Sequence, residues 1–273
     1  MPIPNSIVAL IPARAGSKRI VGKNIRPLAG HPLLAYTIAV AQESGAFHRV
    51  MVSSEDDDYG AIAERYGALF VKRSLGNAVD DSPDFFWVQE TMSISACDAF
   101  AILRPTSPFR TADSICRAWA EFQAKGERFD SLRAVDGKPK QHPWKMWLPA
   151  GEGMIPLFSD KTGTQPSHSV PTQLLRQVWP QNASLEIAWT KTLKKYGNIS
   201  GERVLPFFTE GYEGFDLNTE DDWQYAEWLI QTGRAKLLSI TGVVSKHQPT
   251  VGVAIIQSIP APKAKAGGRT RRK

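Results

Sequence analysis

Short apolar runs alternate with amphipathic stretches along most of this chain. Residues 7–13 (Ile-Val-Ala-Leu-Ile-Pro-Ala) are apolar without interruption and rich in Ile and Val, the pattern of a strand buried on both faces. Residues 32–45 follow with a helical pattern; Pro32 suits the first turn and Gly45 the stop. The alternation repeats as a strand over 49–54 and a helix over 57–66, whose start is crowded with aspartates that complement the helix dipole. A short strand over 68–72, a helix over 84–96, a strand over 99–103, a helix over 112–125 and a strand over 131–135 complete the series. This β-α-β-α order predicts an α/β fold with a mostly parallel sheet and helices on both faces.

The periodicity breaks over residues 137–182, which are rich in Pro, Gly, Gln and Trp (Trp144, Trp147, Trp179). An insertion of this kind serves as a lid, a dimer contact or both. Order returns with a strand over 185–189, a short helix running to Lys195, a final strand over 214–217 and a helix over 219–230 capped by Thr219. The expected organisation is one domain over 1–239, interrupted by the insertion, followed by a basic tail over 240–273.

Charge sharpens that division. The chain carries 33 Lys and Arg against 27 Asp and Glu, yet seven of the basic residues and none of the acidic ones lie in 240–273. The body is therefore near neutral, which excludes a generic polyanion binder. The tail has few core-forming residues and is expected to be disordered. It serves either as a solubilising segment or as a weak contact for nucleic acid and anionic surfaces. No apolar run approaches the ~20 residues that span a bilayer, and no export signal opens the chain. Cys97 and Cys116 have no metal-ligand spacing, and a reducing cytoplasm is expected. The five histidines show no partner spacing that would make one a base.

Chemistry concentrates directly behind the first strand. Ala13, Ala15, Gly16 and Ser17 are small, and Arg14, Lys18, Arg19 and Lys23 are interleaved with them. Small residues let backbone N–H groups approach a phosphate, and the cations neutralise it. The spacing is neither the P-loop nor Gly-x-Gly-x-x-Gly. In an open parallel sheet the ligand sits at the carboxyl ends of the strands. Arg73 with 77–82, the proline-stiffened turn 103–111 and Asp216 should therefore meet this loop.

These positions together resemble the acylneuraminate cytidylyltransferases. The resemblance covers about residues 6–232 and rests on Ala13-Arg-Ala-Gly-Ser-Lys18 with Lys23-Asn24, Arg104-Pro-Thr-Ser-Pro-Phe-Arg-Thr111, His142-Pro-Trp-Lys145 and Phe215-Asp-Leu-Asn-Thr219. It implies a Rossmann-like nucleotidyltransferase fold, CTP with Mg²⁺, an acidic nonulosonic sugar as acceptor, and a homodimer built by the insertion. It also implies that Arg14 and Lys23 hold the triphosphate, cradled by Ala13, Ser17 and the N–H groups of Ala15 and Gly16. Asn24, Arg73 and Ser82 then fall near the cytidine. Arg104, Thr106, Ser107 and Lys145 fall near the sugar, and Asp216 becomes the metal ligand.

Four departures bear mainly on the sugar. Arg104 stands where many relatives have Gln, Asn218 where many have a second Asp, and Asn182-Ala183 where Asn-Gly is usual. An arginine usual in the insertion has only Arg176 as a substitute. CTP use is expected to survive these changes, with an acceptor other than ordinary sialic acid. Plainer readings compete: Arg14 and Lys23 as solvated charges, Asp216 as a helix cap, Lys145 as an exposed lysine, and Asp80, Asp81 and Asp84 as loop and cap residues. At the level of function, the alternatives are transfer to another acid sugar or a sugar phosphate, and a catalytically weak nucleotide-binding protein.

Overall fold

The computed structural model describes residues 6–240. The basic tail inferred for 240–273 lies, beyond its first residue, outside them. Seven strands make the central sheet: β1 (Ile7–Pro12), β2 (Arg49–Ser54), β3 (Leu69–Lys72), β4 (Ala99–Ile102), β5 (Ser131–Val135), β6 (Gln181–Trp189) and β7 (Val204–Phe208). Their order is β7-β5-β6-β4-β1-β2-β3. All neighbours are parallel except β6, which runs antiparallel to both β4 and β5.

The alternating pleat feeds two cores. Ile7, Ala9 and Ile11 face one side, packed with the helices α1 (Leu33–Glu43), α2 (Asp57–Arg65) and α4 (Ala112–Lys125). Val8 and Leu10 face the other, covered by α3 (Asp84–Met92) and by Leu193 of α5 (Thr190–Tyr196). A third cluster seats α6 (Glu220–Gln231) on the outer side of α1, with Trp223, Ala226 and Leu229 against Leu33 and Tyr36.

Local chemistry sets the helix ends. Asp56 caps α2 by accepting from Asp58 N–H at 2.8 Å, and Thr111 and Ser114 form a capping box on α4. Pro32 precedes the first turn of α1 instead of entering it, because it pairs with Pro27 in a two-residue ribbon. Gly60 lets α2 sit flush on β3: a Cβ there would lie 2.5 Å from the Phe70 ring. Gly60→Ala is expected to cost about 1–3 kcal/mol by overpacking, read as a shifted urea midpoint at constant slope.

Two sequence readings need correction. The final strand is β7, not 214–217. Leu205 and Phe207 turn into the core while Val204 and Phe208 stay exposed, the alternation of an edge strand. Residues 215–217 join no ladder. The insertion is not wholly irregular: Trp147–Ala150 and Gly153–Pro156 form an antiparallel hairpin. Its Trp147, Leu148, Met154 and Ile155 are exposed.

Candidate active site

β1 lies between β2 and β4, and the chain builds β2 and β3 on one side before crossing back to β4. The strand order reverses between β1 and β4, so the loops leaving the carboxyl ends of these two neighbouring strands frame the crevice where such sheets take their ligands. Ala13 is buried at the start of the first loop, its N–H donating to the Ser53 carbonyl at 3.0 Å. The chain then turns tightly, with Ser17 N–H donating to the Ala15 carbonyl at 2.8 Å. A Cβ on Gly16 would meet nothing within 4 Å, so the backbone there faces open space. Asn24 closes the loop, its Nδ2 donating to the Arg14 carbonyl at 3.1 Å.

The cations of this loop behave differently from one another. Arg14 and Lys18 both pair with Asp80, Lys18 at 2.5 Å, and the hydrogen bonds from Lys18 and then Arg14 hold its carboxyl below the usual range. The Arg14 and Lys18 side chains are 38% and 82% exposed, so water screens these contacts and they hold Asp80 weakly. Lys23 is 9% exposed, and its Nζ donates to the Leu217 carbonyl at 2.6 Å. Burial lowers its pKa, and the nearby Asp216 carboxylate partly restores it. The reading of Lys23 as a solvated charge therefore fails.

Leu217 links the two loops. Its N–H donates to the Thr106 carbonyl at 2.8 Å while its carbonyl holds Lys23. The adjacent Asp216 accepts from Asn218 Nδ2 at 2.5 Å through Oδ2, and its Oδ1 is buried without a protein partner. Asp216 is not the helix cap; Thr219 is, in a capping box with Asp222. The segment leading to it depends on Gly214, where a Cβ would lie 2.6 Å from Asn182 Nδ2 and 2.7 Å from Asp136 Oδ1. Among the described residues no three His, Cys, Asp or Glu side chains gather as a metal cage. A single carboxylate oxygen without a protein partner does suit Mg²⁺, which keeps waters and takes its other ligands from phosphates.

Arg104 is more constrained than the sequence indicated. Its Nη2 meets Asp84 at 2.5 Å and Glu186 at 3.0 Å, and Arg133 meets the other oxygen of Glu186 at 2.6 Å. Burial works against the Arg104 charge, but Glu186 and Asp84 outweigh it and push the pKa up. Asp84, read as a cap, is a counter-ion. Arg110 in the same turn is buried and donates to the carbonyls of Ser184 at 2.6 Å and Arg104 at 2.7 Å. Nearby, Ser107 is buried with its hydroxyl unpartnered.

Three expectations change. The Ala15 N–H is already bonded to Glu55 Oε1 at 2.8 Å, so a carboxylate holds the donor assigned to a phosphate. Arg73 is buried, donating to Ser53 Oγ at 3.1 Å and the Ser53 carbonyl at 3.0 Å, with its guanidinium 4.8 Å from the Trp87 ring; burial pushes its pKa down to about 10. It braces β2 more than it reaches outward. Lys145 donates to the Val170 carbonyl at 2.8 Å and is tied within the insertion rather than to the crevice loops. Ser82 lies in the turn after Asp80, its N–H donating to the Val79 carbonyl at 3.3 Å. Sequence reasoning missed Glu55, Glu186 and Arg133 altogether. A charge inside the apolar run of 185–189 was the one available signal for Glu186.

Comparison with known proteins follows the same outline. A family described as Cytidylyltransferase matches residues 8–141, which include both crevice loops but end before Lys145 and Asp216. The N-acylneuraminate cytidylyltransferase of Escherichia coli O18:K1:H7 is 41% identical over 138 residues, 50% of this chain and 33% of that protein. The CMP-N,N'-diacetyllegionaminic acid synthase of Legionella pneumophila is 29% identical over 242 residues, 85% of this chain and 99% of that protein. The chain thus spans a third of the first relative and nearly all of the second. Among solved structures, a CMP:2-keto-3-deoxy-manno-octonic acid synthetase complexed with CTP superposes with a TM-score of 0.62 at 12% identity, covering 84% of this chain and 99% of that one. At that identity the match speaks for the fold.

Proposed function

Because this chain belongs to the cytidylyltransferases, we propose that it transfers CMP from CTP to an acidic nonulosonic sugar and releases pyrophosphate. The observation that carries this reading is the junction at Leu217: its carbonyl holds a buried lysine, and the residue before it, Asp216, has one buried carboxylate oxygen left unpartnered.

A sugar hydroxyl attacks the α-phosphorus and gives up its proton to water; its bond to phosphorus forms as the bond to pyrophosphate breaks, and negative charge grows on the phosphate oxygens. Fixed cations stabilise that charge best where water is excluded. Lys23 supplies such a cation without reorganising, because Leu217 already holds its ammonium. Arg14 and Lys18 join it when the triphosphate displaces Asp80, and the open backbone at Gly16 receives a phosphate oxygen. Mg²⁺, when bound at Asp216, supplies further neutralisation of the leaving group. Arg104 uses only Nη2 for Asp84 and Glu186, which leaves its other N–H groups for the acceptor carboxylate, beside Thr106 and Ser107.

The exposed apolar hairpin of the insertion supports a homodimer. No helix among the described residues is long and apolar enough to cross a membrane. With two unpaired cysteines, Cys97 and Cys116, the chain suits the cytoplasm.

The test is pyrophosphate release from CTP and Mg²⁺ with a panel of nine-carbon nonulosonic acids, an eight-carbon ulosonic acid and sugar 1-phosphates, with products identified by mass. A CMP-sugar from at least one nonulosonic acid is expected. Turnover confined to sugar phosphates, or CTP bound without turnover on any acceptor, overturns the reading.

A further inference from the structure

The two arginines of the turn after β4 carry their charges in opposite ways. Arg104 shares Asp84 and Glu186 with Arg133, two guanidinium groups against two carboxylates, so that cluster is close to neutral. Arg110 is 3% exposed and spends its donors on carbonyls, Nε on Ser184 at 2.6 Å and Nη2 on Arg104 at 2.7 Å. Burial pushes its pKa down to about 9 with no carboxylate acting against it, so it stays protonated at neutral pH. Glu213, which accepts from Thr111 Oγ1 at 3.3 Å where the turn ends, is held on both oxygens by Arg117 at 2.9 Å.

The sheet makes the place for this group. β6 pairs with β5 at Gln181 and again from Glu186, and with β4 only from Glu186, so Ser184 belongs to neither ladder and its carbonyl is free to take Nε. The hydroxyls of Ser107 and Ser184 are buried without partners and carry no charge to cancel the guanidinium. Carbonyl dipoles solvate a buried cation but leave its net charge in place. Water does not reach it to screen it, so its field extends further than that of an exposed lysine. Burying a charge without an ion pair is costly, and a role in recognition accounts for keeping it.

Resting on the nucleotidyl-transfer reading above, we propose that Arg110 is a specificity-determining residue: its unanswered charge supplies the positive potential that draws an acidic acceptor to the turn, while Arg104, Thr106 and Ser107 supply the hydrogen bonds. Arg110 acts without touching the sugar. The near-neutral cluster around Arg104 orients a carboxylate but attracts it little more than an amide of the same shape. Selection of an acid over its neutral analogue therefore rests on the buried group behind the contact residues.

The probes are the nine-carbon nonulosonic acid that turns over fastest in the panel above and its uncharged C1 carboxamide. The full chain is assayed at saturating CTP for the acid's KM and for the carboxamide's constant as a competitive inhibitor. Arg110→Met is expected to raise the acid's KM by roughly tenfold or more while the carboxamide's constant and the KM for CTP stay within about twofold. Arg110→Lys restores the charge and should recover most of that loss, to within about threefold of wild type. Equal losses for acid and carboxamide in Arg110→Met, or an Arg110→Lys variant as impaired as Arg110→Met, overturn the proposal. Wild type alone gives a second test that does not depend on a variant folding. An interior charge is poorly screened, so the acid's advantage over the carboxamide should change by less than about twofold between roughly 0.05 and 0.5 M KCl. An advantage that salt abolishes comes from exposed charges and overturns the proposal as well. Each of these failures leaves the nucleotidyl-transfer reading intact, whereas absence of turnover on every nonulosonic acid overturns both.

Discussion

Lys23→Ala is expected to lower kcat/KM for CTP by ~10²–10³-fold, the usual cost of deleting one pre-positioned stabiliser of developing charge. The ammonium is buried and held by a carbonyl from 194 residues away, so neither water nor a neighbouring lysine can take its place. Arg14→Ala should also be damaging, by ~10²-fold, although Lys18 shares its partner Asp80. The pH profile gives an independent check. Burial lowers the Lys23 pKa from that of an ordinary lysine, so the proton leaves at a lower pH and takes the charge with it. The alkaline limb of kcat/KM should therefore fall below pH 10.5, the ordinary value, and disappear in Lys23→Ala. For folding the sign is reversed. The folded state binds this proton less firmly than the unfolded chain, so the penalty is full at neutral pH and lifts as pH rises through the lowered value. Near-normal turnover in Lys23→Ala would remove the lysine from the active site.

The second large effect concerns stability. Glu186 is 5% exposed and neutralises Arg104 and Arg133 together, one on each carboxylate oxygen. Glu186→Ala leaves two partly buried guanidinium groups with only Asp84 between them. Breaking a buried ion pair from one side typically costs about 3–5 kcal/mol, far more than the intact pair contributes net. Urea unfolding should show a loss of that size at constant slope. The exposed pair of Lys191 and Glu127 supplies the contrast, and Glu127→Ala should leave the midpoint unmoved. A Glu186 variant as stable as wild type would mean that Arg104 and Arg133 relax into solvent and that the network is not a fixed part of the crevice.

Most of the sheet was legible because its signals are local. β1 is apolar at every position, and α2 and α4 announce their caps with Asp56 and Thr111. β7 was hidden by Pro206, which argues against a central strand but is tolerated at a sheet edge, where β7 lies. Phe215 to Leu217 looked like a strand because two apolar residues flank Asp216; it reaches the carboxyl edge of the sheet through the Leu217 N–H bond to Thr106 instead of a ladder. At the site, the cationic loop was visible as a composition. The carboxylates that answer it were not, since Asp80 lies 66 residues from Arg14, and Glu186 lies 82 from Arg104. Lys145 was placed by motif, yet its ammonium serves the insertion's own carbonyls. Pairings across such distances are decided by topology, which residue spacing alone does not encode.

The hydrogen bonds through Leu217 also order events in time. During synthesis the β1 loop emerges early and the turn after β4 later, while the residue that fastens both emerges 194 residues after Lys23. Chains fold largely from the N-terminus as they leave the ribosome. A nascent chain can therefore complete most of its sheet while its lysine still lacks an anchor and its acid has not been made. On the proposed reading, competence waits for Leu217, and a product truncated before it would be folded in part and inert.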